Sequence, residues 1–121
     1  MRAVSREIVL ASSSSYRRTL LERLGLDYKV LVPGIDESPL PGEAAVAAAT
    51  RLSQAKARKV AVEKPEALII GSDQVALLGD LMLGKPGTHA AAARQLQMMS
   101  GRTVVFHTAV CLFNAACGEM Q

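Results

Sequence analysis

The chain has 121 residues, half of them hydrophobic but only 3% aromatic, and 14 basic against 11 acidic side chains leave a net charge of +3. That length suits one domain with an aliphatic core, and so high an apolar share excludes an intrinsically disordered chain. The basic excess is mild and scattered and few rings could stack on bases, so no nucleic-acid partner is expected; a small anionic ligand suits the charge.

In chain order, Glu7–Ala11 reads as a short buried strand that breaks into four serines. Ser14 then reads as the N-cap of a helix whose apolar stripe is Leu20, Leu21 and Leu24 and which Gly25 closes. Tyr28–Val32 reads as a second strand, followed by a Pro-Gly turn and the acidic stretch GIDESP. Glu43 to about Glu63 is a long Ala-rich helix. Ala67–Gly71 is a β-branched strand that runs on through Asp73 to Leu78, Gly79-Asp80 is a hairpin turn, and Leu81–Leu83 is the return strand. Thr88 caps a helix ending at Ser100-Gly101, Thr103–Phe113 is a strand, and Asn114–Gly118 is a turn. Strands alternating with helices predict an α/β domain.

No apolar run approaches the roughly 18 residues of a membrane span, and no membrane partner is expected. The run Ile8–Ala11 behind Arg2 and Arg6 is too short for a secretory leader. Cys111 and Cys117 match no metal spacing and read as reduced, structural cysteines of a cytoplasmic protein.

Four positions break the local pattern, and such breaks concentrate at functional sites. A strand that turns straight into a helix presents free backbone N–H groups and the positive end of the helix dipole, to which serine hydroxyls add donors. Arg17 lies on the apolar stripe of that helix rather than opposite it, whereas Arg18 falls on the polar side with Glu22. A capped helix with two solvated arginines is an equally good account of this stretch. Lys56 sits on the stripe Ala48, Leu52, Val60 of the long helix. Snorkelling to the edge is the commoner fate of such a lysine, and meeting a negative group is the other. Asp73, in ALIIGSDQVALL, has strand-like apolar residues on both sides. Burying its carboxylate unpaired costs several kcal/mol, so it needs a cation, a metal or strong donors. Lys85, in LGKPG, stands just before the Thr88-capped helix, and Glu37, in IDES, is a weaker signal still. Two lysines, an arginine and two acids near element ends suit phosphate chemistry, in which cations bind phosphates and carboxylates hold a divalent metal.

The combination LASSSSYRRTLL, GIDES, RLSQAKA, LIIGSDQV and GKP resembles the Maf family of nucleoside triphosphate pyrophosphatases. GSDQV and VCLFNAACG are similar to its 7-methyl-GTP pyrophosphatase branch. The resemblance implies a mixed sheet flanked by helices with a cleft between two lobes. It also implies hydrolysis of the α–β phosphate bond of a nucleoside triphosphate, giving the monophosphate and pyrophosphate, with a divalent cation (Mg²⁺ or Mn²⁺). It assigns Asp73 as general base and metal ligand with Glu37, and Ser12, Arg17, Lys56 and Lys85 to the phosphates, to which the helix amides near Ser14 add donors. Tyr16 and Gln74 take the positions linked to base choice, where the 7-methyl-GTP branch has tryptophan and glutamine and the branch acting on dTTP and UTP has arginine and threonine. A ring face attracts a cationic methylated guanine by about 0.5–2 kcal/mol, and Gln74 can both donate to and accept from a base edge. Tyr16 departs from tryptophan, and Ser15 stands where the family usually has proline. By the same resemblance, residues 1–121 form a single family domain incomplete at its C-terminus, which implies weak activity or none for this chain alone. Family members are often dimers, so a homodimer is a candidate assembly. The rival readings are a dTTP/UTP pyrophosphatase of the same family and a non-catalytic nucleotide-binding regulator of cell division.

Overall fold

A computed structural model describes residues 6–84 and 86–121. Six strands, β1 (Ile8–Ala11), β2 (Lys29–Leu31), β3 (Leu68–Leu78), β4 (Leu81–Leu83), β5 (Val104–Asn114) and β6 (Glu119–Met120), form one mixed sheet with α1 (Ser15–Glu22), α2 (Ala45–Ala61) and α3 (His89–Met99). The sheet order is β2-β1-β3-β5-β6, with β4 alongside β3. The α/β prediction holds, and every expected strand and helix is present, within a few residues of its expected ends.

β3 organises the molecule. One edge pairs with β5 in antiparallel fashion from Leu68↔Asn114 to Leu78↔Val104. The other edge is shared: β1 runs parallel to it as far as Ala11↔Gly71, and β4 pairs antiparallel with it from Ala76↔Leu83. Between them, among the described residues, Ser72, Asp73, Gln74 and Val75 have no strand beside them on that edge. A notch in the sheet therefore opens where β1 hands over to the serine run. The Gly79-Asp80 turn that folds β4 back has Gly79 at φ 60°, a conformation glycine adopts without penalty.

The helix α2 closes one face. Its stripe Ala48, Leu52, Lys56 and Val60 is buried, together with Ala45, Ala49, Ser53 and Ala57. The small side chains let helix and sheet approach closely. A Cβ on Gly71 would lie 2.1 Å from the Ser53 carbonyl oxygen, so only glycine fits β3 there. The same carbonyl accepts from the Cys111 thiol on β5 at 3.3 Å. Burial pushes that thiol's pKa up, which keeps it a protonated donor at neutral pH. Val9, Ala11, Ala57, Val60, Ala67, Ile69 and Cys111 make the core.

Two expectations change. α1 ends at Glu22, so Leu24 stands beyond the helix and is exposed, as is Leu20; of the expected stripe only Leu21 is buried. Cys117 is an exposed free thiol in the turn after β5, so only Cys111 is a structural cysteine. Among the described residues no helix is long and apolar enough to cross a membrane.

Candidate active site

The serine run lies where β1 ends. Ser12 is fully buried, and its hydroxyl oxygen accepts from the Ser14 N–H at 3.1 Å and from the Arg17 guanidinium at 3.3 Å. Ser14 is the N-cap as expected, its side chain accepting from the Arg17 N–H at 3.3 Å. Two serines thus hold Arg17 from its backbone and its tip. The arginine is half-buried beside the first turn, where the helix amides and dipole favour an anion.

Across the notch, α2 supplies Lys56. It does not snorkel. Its ammonium is buried and donates to Asp73 Oδ1 at 2.8 Å and to the Ser72 carbonyl at 3.3 Å. It also forms an ion pair with Glu37 Oε1 at 2.9 Å. The two carboxylates come from unrelated parts of the chain, Asp73 buried on β3 and Glu37 exposed in the segment before α2. A buried ammonium between two acids satisfies the requirement that a buried charge be paired.

That segment is itself held down. Arg51 of α2 grips the Glu43 carboxylate with Nε and Nη2, at 2.7 and 2.9 Å, and Nη2 also donates to the Ser38 carbonyl at 3.1 Å. Glu43 also accepts from the Leu40 N–H at 3.1 Å. The Arg51 bond, then the Leu40 amide, hold the Glu43 carboxyl below its ordinary pKa. Asp36 is lowered as well, chiefly by the Ser38 backbone N–H that it accepts at 2.9 Å.

One cavity of about 540 Å³ is lined by the serine run from Ser13 to Ser15 and by Tyr16, Arg17, Glu37, Lys56, Asp73 and Gln74. A second, of about 440 Å³, adjoins it at Glu37, Asp73 and Gln74 and is walled by Leu52, Val75, Met82 and Leu83. Tyr16 is exposed at the mouth of the first. Gln74 is exposed too, and its Oε1 accepts from the Thr108 hydroxyl at 3.0 Å, which fixes the amide and turns its NH₂ outward. The structure thus gathers Ser12, Ser14, Tyr16, Arg17, Glu37, Lys56, Asp73 and Gln74 at one place. Lys85 lies outside the described residues. Sequence reasoning missed Thr108, the partner of Gln74, and the Glu43–Arg51 clamp. An acid just before a helix and an arginine two turns into it is a signal that finds the clamp; nothing in the sequence alone pairs Thr108 with Gln74, since they meet through strand register.

A family model described as Maf-like protein matches residues 7–121. A 7-methyl-GTP pyrophosphatase of Methylobacillus flagellatus is 61% identical over 114 residues, covering 94% of this chain and 59% of the relative. One of Ralstonia nicotianae is 54% identical over 114 residues with the same coverage, 94% and 59%. The crystal structure of a nucleoside-triphosphatase, a dITP/XTP pyrophosphatase from Mycobacterium abscessus, has a TM-score of 0.53 at 20% identity over 95% of this chain and 68% of that one; at that identity the likeness concerns the fold alone. The chain spans about three-fifths of the length of the curated relatives it matches.

Proposed function

The chain belongs to the Maf family, and from that premise we propose that it carries the catalytic face of a pyrophosphatase acting on 7-methyl-GTP or a similarly modified nucleotide. The observation that carries this reading is the convergence of Arg17, Lys56, Asp73 and Glu37 on one cavity beside a capped helix N-terminus. Arg17, the amides around Ser14 and the Lys56 ammonium hold the phosphate oxygens; Lys85 belongs with them in this proposal. Tyr16 offers its ring face, and Gln74, oriented by Thr108, offers its amide to the base.

Asp73 takes a proton from water, whose oxygen attacks the α-phosphorus. The bond from the α-phosphorus to the bridging oxygen breaks, and pyrophosphate leaves. Lys56 holds the carboxylate in place and trades part of its ion pairing for phosphate oxygens as substrate enters.

A divalent cation fits the donors present. Glu37 and Asp73 are hard oxygen ligands brought together on the Lys56 ammonium, and an ion held by one or two carboxylates plus substrate phosphates is the ordinary magnesium arrangement. Among the described residues no cluster of three or more acidic, histidine or cysteine side chains exists, so the ion would not sit in an all-protein cage. When bound, Mg²⁺ or Mn²⁺ neutralises charge on the phosphates. In this reading the protein works in the cytoplasm, alone or as a homodimer.

The test is pyrophosphate release from 7-methyl-GTP, GTP, dTTP and UTP with Mg²⁺ or Mn²⁺, run on this chain and on a form extended to the relatives' length. Preference for 7-methyl-GTP in the extended form supports the reading. Preference for dTTP or UTP moves the protein to the other branch, and tight binding with no release of pyrophosphate makes it a nucleotide-binding regulator.

A further inference from the structure

Gln74 stands at the notch of β3, and strand register decides what it can touch. Successive residues of a strand point to opposite faces of the sheet. Asp73 turns towards α2, where Lys56 meets it, so Gln74 turns to the face away from α2. On that face it lies opposite Thr108 of β5, flanked by Ser72 and Ala76 on its own strand and by Phe106 and Val110 on the other. Ala76, Phe106 and Val110 carry no polar side-chain atom. The Ser72 hydroxyl is committed to the Ala109 carbonyl at 3.0 Å. Among the described residues on this face, Thr108 is thus the side chain left to meet the Gln74 amide, and its hydroxyl donates to Oε1 at 3.0 Å.

The direction of that bond matters more than its strength. A glutamine amide carries one acceptor and two donor hydrogens on a single plane. With the oxygen taken up by the threonine proton, the NH₂ is the end left for a ligand in the cavity that Gln74 lines together with Tyr16 and Arg17.

We infer that Thr108 is a positioning residue that fixes the polarity with which Gln74 reads the base, so that the site takes nucleotides presenting an exocyclic carbonyl there and rejects those presenting an amine. The 6-oxygen of guanine and the 4-oxygen of uracil or thymine accept from an NH₂, whereas the 6-amino group of adenine and the 4-amino group of cytosine would set donor against donor. Methylation at N7 removes the neighbouring acceptor of guanine and leaves its 6-oxygen as the acceptor on that edge. The inference rests on the proposed function for placing the base at Gln74 and deepens it. It names the class of base, and it holds for 7-methyl-GTP and for the pyrimidine rivals dTTP and UTP alike.

The test measures Kd by calorimetry for UTP against CTP and for ITP against ATP, with 7-methyl-GTP alongside, on the 121-residue chain and on a form extended to the relatives' length. Within each pair a carbonyl is exchanged for an amine at the position read. One solvent-exposed hydrogen bond supports a preference of about tenfold for the carbonyl member. Thr108→Val keeps the side chain's shape and removes the hydroxyl, so the amide can turn either way and each ratio is expected to fall towards one. Thr108→Ser restores the donor and is expected to restore the ratio. In Gln74→Glu, Thr108 donates to one carboxylate oxygen and leaves the other as an acceptor, so the preference is expected to reverse. A strand loosened by substitution weakens both members of a pair and leaves their ratio unmoved, which separates positioning from a merely structural role. Ratios near one in the parent, ratios favouring CTP and ATP, ratios unchanged by Thr108→Val, or no binding in either form overturn the inference. Preference for UTP over CTP with 7-methyl-GTP bound weakly keeps the inference and discards the methylated substrate; tight 7-methyl-GTP with ratios near one does the opposite.

Discussion

Lys56 has three oxygens around one ammonium: Asp73 Oδ1, Glu37 Oε1 and the Ser72 carbonyl, at 2.8, 2.9 and 3.3 Å. Removing the ammonium by Lys56→Met leaves Asp73 buried beside an apolar chain. Breaking such a pair costs about 3–5 kcal/mol, and urea unfolding measures it. The double variant Lys56→Met with Asp73→Asn should recover part of that loss, since no buried charge remains; a double variant no more stable than Lys56→Met would show that the pair is not what the lysine stabilises. Asp73→Asn alone keeps an oxygen for Lys56 to donate to, so its urea midpoint should stay close to that of the parent. Its pyrophosphate release should fall by at least about 10²-fold if Asp73 moves the proton; retained turnover removes it from the mechanism. The lysine was visible in the sequence because a charge on an apolar helical stripe demands an explanation. Glu37 was a weaker signal, because it sits in an irregular segment where an acid is ordinary, and the family motif gave it its role. Which of the two fates awaited Lys56 depended on where Asp73 lay, a tertiary fact.

α2 and the segment before it act as one element on the site. Gly71 shows how closely α2 rides on the sheet. Gly71→Ala would put a methyl against the Ser53 carbonyl, with Cys111 Sγ and Ala57 Cβ at 3.0 and 3.1 Å leaving no way round. The helix must lift, at a cost of about 1–3 kcal/mol in the urea midpoint. Because the same helix carries Lys56, nucleotide affinity should drop with it; full stability and affinity would mean that the helix yields at Ser53 without cost. The Glu43–Arg51 clamp adds a pH dependence. Glu43 is held below its ordinary value of about 4.5 by Arg51. A carboxylate whose folded pKa is depressed contributes its full stability above the unfolded value and loses it as pH falls through the folded one. Urea midpoints of the parent and Glu43→Gln should therefore differ at pH 7 and converge as pH falls below about 4.5, whereas a constant gap would dissociate the clamp from ionisation. At this scale the sequence was read best where a cap or turn is written in a few adjacent residues, as at Ser14, Thr88 and Gly79-Asp80. It was read worst at α1, where Leu20 and Leu24 suggested a longer packed helix that the chain does not bury.

Across the whole molecule, order is distributed unevenly. The centre is β3 where β1 and β5 flank it and α2 covers it, from Leu68 to Gly71. Ion pairs from Glu7 to Lys29 and Lys64, at 3.3 and 3.0 Å, tie the start of β1 to β2 and to the turn between α2 and β3. By contrast α3 buries none of its residues, and its ties include the Thr88 cap and one bond from Gln95 to the Gly84 carbonyl at 2.6 Å. Helices of this length are marginal without packing. Native-state hydrogen exchange should therefore find the amides of Ala92 to Met99 opening at least about a hundredfold more readily than those of Leu68 to Gly71. The cavity walls fall on both sides of that divide. Asp73 and Lys56 belong to the stable centre, while Met82 and Leu83 sit on the short hairpin that leads into α3. A nucleotide spanning both should slow exchange in β4 and α3 more than in β3, because ligand binding protects most where local opening is cheapest. If α3 exchanges only with global unfolding, the molecule is one cooperative unit and the cavity has no yielding side.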